Sequence, residues 1–209
     1  MKDSRKLCIL AVLACVLVVL FVVLDLNYSI LAYALPRRIL KVMAMVLTGV
    51  TIGYSTVIFQ TVTNNRILTP SIMGLDSLFI LVQTLVLFLF GATGGFLADA
   101  KLNFIFTIVI MLVFSSFLFR SLFVGEQREV HFLLLVGVVA GTLFQSLSSF
   151  LHMVLDPNEF LIVQKSMFAG FNNINLELFI MAFLIIGALI IWLNRYVTIF
   201  DVLALGREQ

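Results

Sequence analysis

Six apolar runs, each long enough to cross a lipid bilayer, divide this chain and dictate most of what it can become. Leu7–Leu24, Val42–Val62, Ser77–Leu97 and Leu102–Phe119 contain no charged residue. Phe132–Leu155 is interrupted only by His152, and Leu178–Asn194 is again uncharged. A helix needs about 20 residues, range 17–25, to traverse the hydrocarbon. Helices suit that environment because they satisfy their backbone hydrogen bonds internally. Of 209 residues 62% are hydrophobic and 11% charged, with a mean hydropathy of +1.18. A soluble domain is about 25% charged and about 45–50% apolar, and one of this size has too little interior to hide so much apolar surface. The expected fold class is therefore an all-α polytopic membrane protein with about six transmembrane helices.

The residues between the runs set orientation. Lys2, Arg5 and Lys6 before the first run, and Ala32-Tyr33-Ala34 after it, imitate a cleaved signal peptide. The apolar core is too long for one, however, and the site lies well past its end. With the N-terminus inside, the inner segments hold Lys2, Arg5, Lys6, Arg66, Arg120, Arg128, Arg195 and Arg207. The outer segments hold Arg37, Arg38, Lys41, Lys101 and Lys165. That bias favours a cytoplasmic N-terminus. Arg37, Arg38 and Lys41 nevertheless cluster outside, just before the second span, and docking of an acidic partner would account for them. Asp156-Pro157-Asn158-Glu159 reads as a helix start, with Asp156 as cap and Pro157 in the first helical position. The helix it begins, 157–168, is too short to span and is expected at the outer surface.

Several function classes are excluded or weakened. A net charge of +2 gives no reason to expect nucleic acid. Cys8 and Cys15 sit in the first apolar run without metal-ligand spacing, and His131 and His152 are the only histidines, so no metal site is expected. No GxSxG, HExxH or paired intramembrane aspartate is present. Ser115-Ser116 and Ser146, Ser148 and Ser149 lack a convincing base. Ser149 lies one turn from His152, but adjacency on a helix does not make a dyad. No catalytic residue is assigned, and without GxxxxGK[ST] the chain itself is expected to bind no ATP or other cofactor.

Two spans carry small and polar residues at helical spacing: Gly49, Gly53, Thr56 and Gln60 in the second, Gly137, Gly141, Gln145 and Ser149 in the fifth. Both series begin with GxxxG, which lets helix backbones approach closely. Two readings stay open, helix packing or the wall of a polar pathway; a lipid-facing amide would lack a partner. His152, near the outer end of its span, reads as a packing or hydrogen-bonding residue more readily than as a proton relay. The spans otherwise hold almost no ionisable group, each of which costs about 2.5–3.5 kcal/mol at mid-membrane on insertion scales. A pathway without charged coupling groups fits a transporter powered from outside the membrane.

Three stretches resemble the permease family that carries ferric siderophores, haem and vitamin B12. Ala34-Leu35-Pro36-Arg37 resembles the family's Arg-Leu-Pro-Arg, whose arginines contact acidic residues on a substrate-binding protein. Arg37 matches the second arginine; Ala34 replaces the first, and Arg38 is a candidate to compensate. The stretch from Gln60 to Gly74 resembles the family's cytoplasmic turn, with Gln60, Asn65, Pro70 and Gly74 in register and Asn64 and Arg66 in place of the usual arginine and proline. That variant looks like a siderophore branch in which two different permeases pair. Asp201-Val202-Leu203-Ala204-Leu205-Gly206 looks like the start of the loop at 197–209 that seats on the ATPase.

The resemblance implies about ten spans in a complete permease, so this chain is expected to be its N-terminal part, truncated inside the coupling motif. It also implies a plasma-membrane location. The implied partners are a second permease subunit, ATP-binding subunits that carry the ATP, an extracytoplasmic substrate-binding protein and a ferric siderophore. Haem or cobalamin as cargo, or a non-transporting scaffold, are the alternatives.

Overall fold

The computed structural model describes residues 2–24, 31–91, 99–123, 130–168 and 170–204. The regular structure among them is entirely helical. In chain order it comprises α1 (Lys2–Val23), α2 (Leu31–Val62), a one-turn 3-10 segment (Pro70–Met73), α3 (Leu75–Phe90), α4 (Ala100–Phe123), α5 (Val130–Val154), α6 (Pro157–Met167), α7 (Leu176–Asn194) and α8 (Val197–Ala204). Helices α1, α2, α4, α5 and α7 are long and apolar enough to cross a membrane, and α3 is a shorter apolar helix. The membrane-length stretches of α1 and α7 bury none of their residues. Leucines and valines stand open along them, and Cys8 and Cys15 are exposed free thiols. Apolar surface on that scale is stable only against lipid or protein, and the chain is an all-α polytopic membrane protein.

The core is built around α3. Its Leu78, Leu81, Val82, Thr84, Val86 and Leu87 are buried. Phe106, Ile110 and Phe114 of α4 pack on one side and Ala140, Phe144 and Leu151 of α5 on another. Phe114 and Phe144 meet edge to face at 5.2 Å, the arrangement their ring quadrupoles favour. Val163 of α6 and Leu155 close over Leu87 at one end. The 3-10 segment and Phe59, Leu68 and Met73 fill the other.

This helix is where the sequence expectation and the structure differ most. The apolar run Ser77–Leu97 predicts a full span, yet α3 stops at Phe90. Gly91 takes φ 67 and donates its N–H to Leu87 O at 2.8 Å. A glycine at positive φ ends a helix without the Cβ penalty other residues meet. Sixteen residues give about 24 Å, short of the ~30 Å hydrocarbon core. Such an end is tolerated where protein covers it, and α6 supplies that cover. The remaining positions of the run, 92–97, lie outside the described residues.

Helix α2 deviates in the opposite sense. It begins at Leu31 rather than near Val42, and its 32 residues extend about 48 Å. Pro36, the sixth residue of the helix, lacks the N–H that would otherwise reach Ala32 O, so the helix forgoes one bond in its second turn. The helix thus has turns to spare beyond the bilayer core, and the cost of placing Arg37, Arg38 and Lys41 in hydrocarbon favours its N-terminal turns as the ones that leave it. Side-chain caps start two other helices. Asp156 accepts from Asn158 N–H at 2.9 Å to open α6, and Asn175 accepts from Glu177 N–H at 3.0 Å to open α7. Helix α8 folds back against α2. Of the expected coupling residues it contains Asp201; Leu205 and Gly206 lie outside the described residues.

Candidate functional site

The turn after α2 is held by the residues that the sequence singles out. Asn64 adopts φ 48, in the left-handed region an asparagine tolerates. Asn65 donates its backbone N–H to Gln60 O at 3.1 Å. The Gln60 side-chain amide spans the turn and donates to Arg66 O at 2.8 Å. The Asn65 side chain accepts from Ile67 N–H at 2.9 Å, an Asx turn. Leu68 then plugs inward with 1% exposure. Pro70 opens the 3-10 turn, and Gly74 closes it at φ 71, donating to Ser71 O at 3.0 Å. Gln60, Asn65, Pro70 and Gly74 each therefore shape the chain's path from α2 into α3.

That turn is seated in α5. A Cβ on Gly74 would overlap the Gly141 backbone. One on Gly137 would lie 2.9 Å from Ile72 O and Met73 Cα, and one on Gly141 3.0 Å from Gly74 Cα. Two features far apart in sequence, the turn and the GxxxG of the fifth span, are thus one backbone-to-backbone contact. Gly137 and Gly141 thus lie at a close backbone approach to Met73 and Gly74.

Gln145 and Ser149 do not continue it. Residues four apart on an α-helix drift by about 40° at each step, so a series spaced by four winds slowly around the helix. The glycines and then Phe144 and Ser148 face inward and are buried, while Gln145 and Ser149 have turned out and are exposed. With Thr142, Ser146 and Met153 they line an open concavity of about 530 Å³. A smaller cavity of about 140 Å³ continues from it past Ser77 and Ser148 to His152. The Gln145 amide has no hydrogen-bond partner among the described residues. Val139, Leu143, Leu147 and Phe150 lie further round α5 and are exposed and mostly apolar. Helix α5 thus presents a buried face, a polar strip and an apolar flank.

His152 sits at the end of the strip. Its Nε2 lies 3.0 Å from Thr84 Oγ1. The Thr84 hydroxyl donates to Ile80 O at 2.8 Å, so the threonine oxygen accepts and His152 carries its proton on Nε2. The ring packs edge-on against Phe160 of α6 at 5.1 Å. This residue thereby links α5 to α3 and α6. Thr84 has 0% exposure, and sequence reasoning missed it: a lone threonine in an apolar run carries no signal until its partner is placed. Thr84→Val keeps the shape but removes the acceptor. It is expected to destabilise the chain by about 0.5–1.5 kcal/mol, the net worth of one hydrogen bond whose His152 donor is part-buried. Adding His152→Leu should recover part of that loss. Thermal unfolding in detergent measures both, and strict additivity of the two substitutions would contradict the pairing.

The other singled-out residues separate. Gly49 and Gly53 of α2 are exposed, and a Cβ on either would meet nothing within 4 Å; Thr56 beside them is half-buried. No described element fills that notch. At the N-terminal end of α2, Arg37 lies over the Tyr33 ring, 4.1 Å from its centroid. Arg38 instead turns to α1, donating to Phe21 O at 3.0 Å and also to Leu24 O. Beside Arg37 opens a cavity of about 570 Å³ lined also by Lys41, Asn172 and Asn173. Tyr33, Arg37 and Lys41 recur every four residues, a signal that was present in the sequence. Among the described residues no group of three or more His, Cys, Asp or Glu could hold a metal.

Comparison with known proteins relates the sequence to a transport family. The sequence model of the FecCD transport family matches residues 7–209. The chain is 52% identical over 210 residues to the petrobactin import system permease protein YclO of Bacillus subtilis (strain 168), covering 100% of this chain and 66% of that protein. It is 35% identical over 174 residues to the petrobactin import system permease protein FatC of Bacillus anthracis, covering 82% of this chain and 49% of that one. The chain thus spans just under two thirds of one relative and about half of the other. No solved structure matches it. A match over nearly the whole length, on a polytopic helical fold whose Gln60–Gly74 turn is seated in α5, places the protein: the chain belongs to the FecCD transport family.

Proposed function

We propose that this chain is a membrane-spanning permease component of an ATP-driven importer that moves a ferric siderophore into the cell. The observation that carries the reading is the polar strip of α5. Thr142, Gln145, Ser146 and Ser149 are exposed on a helix otherwise clothed in apolar side chains, and hydrocarbon would leave the Gln145 amide unsatisfied. A wetted pathway shared with a second permease subunit satisfies it. The names of the two relatives supply the cargo class, a petrobactin-type ferric chelate.

In this reading the chain lies in the plasma membrane with its N-terminus in the cytoplasm. An extracytoplasmic binding protein delivers the chelate to the outer face, where Arg37 helps it dock. ATP is bound and hydrolysed by separate subunits, which seat near Asp201, Leu205 and Gly206. Iron passes as cargo inside its chelate. The Gln60–Gly74 turn, packed backbone to backbone on α5, transmits movement at the cytoplasmic side to the polar strip, because a contact without flexible side chains leaves no slack. The exposed Gly49–Gly53 notch of α2 accepts a neighbouring helix of the assembly.

Cysteine accessibility tests the strip. In a background with Cys8 and Cys15 changed to serine, Ser149→Cys and Gln145→Cys should react in the assembled transporter with a charged, membrane-impermeant thiol reagent. Leu143→Cys on the apolar flank should not. Equal, negligible labelling at all three positions would assign the strip to a dry interface.

A further inference from the structure

Arg37 and Arg38 are adjacent in sequence, but successive side chains on an α-helix point about 100° apart. Arg38 is engaged by α1: Nη1 donates to Phe21 O at 3.0 Å, to Val22 O at 3.3 Å and to Leu24 O. The Phe21 and Val22 carbonyls belong to the last turn of α1, that of Leu24 follows it directly, and none has a partner within that helix. A cation there also complements the negative end of the helix dipole. Arg38 borders the outer cavity, but its Nη1 is anchored on those carbonyls, which turns the guanidinium toward α1.

Lys41 is differently placed. It stands four residues after Arg37, hence one turn along the same face. It lines the same cavity of about 570 Å³, opposite Asn172 and Asn173. Among the described residues no carboxylate lines that cavity. The nearby Glu177 is tied to Lys101 at 2.8 Å, and neither Arg37 nor Lys41 has an ion-pair partner among the described residues. Arg37 is held in place by the Tyr33 ring, a cation–π contact that leaves guanidinium edges free to donate. The asparagine side chains add neutral amide donors on the facing wall. The cavity therefore offers the Arg37 and Lys41 cations and amide donors with no neutralising carboxylate among the described residues, a chemistry that receives a carboxylate.

We infer that Arg37 and Lys41, facing Asn172 and Asn173, form the seat for acidic side chains of the docking binding protein, and that Lys41 rather than Arg38 supplies the second positive charge. The inference rests on the docking reading above and names the residues that carry it. Charges at the rim of a protein interface act mainly on association rate and salt dependence, and salt screens them over about 8–10 Å.

The test uses the permease assembled with its partner subunits in nanodiscs and the purified binding protein of the same import system. Docking affinity is measured at low and at physiological salt. Lys41→Gln and Arg37→Gln are each expected to weaken docking about three- to tenfold at low salt, less at higher salt. Lys41→Arg should retain affinity. Arg38→Gln should leave docking within about twofold and instead lower the melting temperature, because the α1 carbonyls lose their donor. An Arg37→Gln defect with no Lys41→Gln defect, or an Arg38→Gln defect matching that of Arg37→Gln, would overturn the assignment while keeping the docking reading. If neither Arg37→Gln nor Lys41→Gln alters docking in a complex that still assembles, the docking reading falls as well.

Discussion

Gly74→Val is expected to prevent the chain from reaching a stable folded state in detergent. Two independent penalties meet at this residue. Its φ of 71 lies in the left-handed region, where a β-branched residue is a genuine outlier and strain amounts to about 1–3 kcal/mol. Its Cβ would also overlap the Gly141 backbone. That neighbour is main chain in mid-helix, which cannot swing aside as a flexible side chain could, and overpacking of this kind costs about 1–3 kcal/mol or more. The sum is a large share of the roughly 5–15 kcal/mol that stabilises a typical domain. The expected result is a melting temperature lower by more than about 10 °C, or loss of the monodisperse peak in size-exclusion chromatography. Gly49→Ala is the matched control. That glycine also opens a GxxxG, but a Cβ there meets nothing within 4 Å, and alanine favours the helix by up to about 1 kcal/mol. Comparable melting of the Gly74→Val variant and the parent would mean that the turn is not seated in α5.

The double substitution Gln145→Leu with Ser149→Leu is expected to do the reverse, sparing the fold and abolishing transport. Both side chains are exposed and neither makes a hydrogen bond that holds the described chain together, so replacing them removes no internal contact. If they line the wetted path, two leucines would coat about two helical turns of it with hydrocarbon, since the positions lie one turn apart. A ferric chelate with charged or polar groups would then have to shed water without replacement partners, at roughly 1–3 kcal/mol for each group left unpaired. Uptake should fall at least about tenfold, since 1.4 kcal/mol is already one decade. Melting temperature and assembly with the partner subunits should stay unchanged. Normal uptake by a normally assembled complex would remove the strip from the pathway.

The helices were legible because lipid leaves few alternatives: an uncharged run of membrane length must hydrogen-bond internally. Their ends were less so. The run Ser77–Leu97 stays apolar across Gly91, and hydropathy does not register that this glycine takes a positive φ under the cover of α6. The start of α2 was hidden in the same way, because Pro36 and three cations resemble a loop in composition. The turn residues were legible individually, since Asn, Pro and Gly have local conformational reasons to sit there. That Gly74 meets Gly141 was not, because sequence distance conceals which backbones approach. The series Gly137, Gly141, Gln145 and Ser149 read as one face, yet its four-residue spacing drifts and divides it into a packed notch and an open strip. Arg37 and Arg38 read as a pair for a similar reason, although adjacent helical residues face different neighbours.

The most direct test of the account is ATP-driven uptake. The chain is reconstituted in proteoliposomes with the proposed second permease subunit and ATP-binding subunits, and the proposed binding protein is loaded with a radioiron-labelled petrobactin-type chelate. A parallel preparation with the Bacillus subtilis relative YclO serves as the working standard. The account predicts saturable, ATP-dependent accumulation of the chelate that the Gln145→Leu and Ser149→Leu pair abolishes. An assembled complex that hydrolyses ATP yet accumulates no chelate, beside a standard that does, would contradict it.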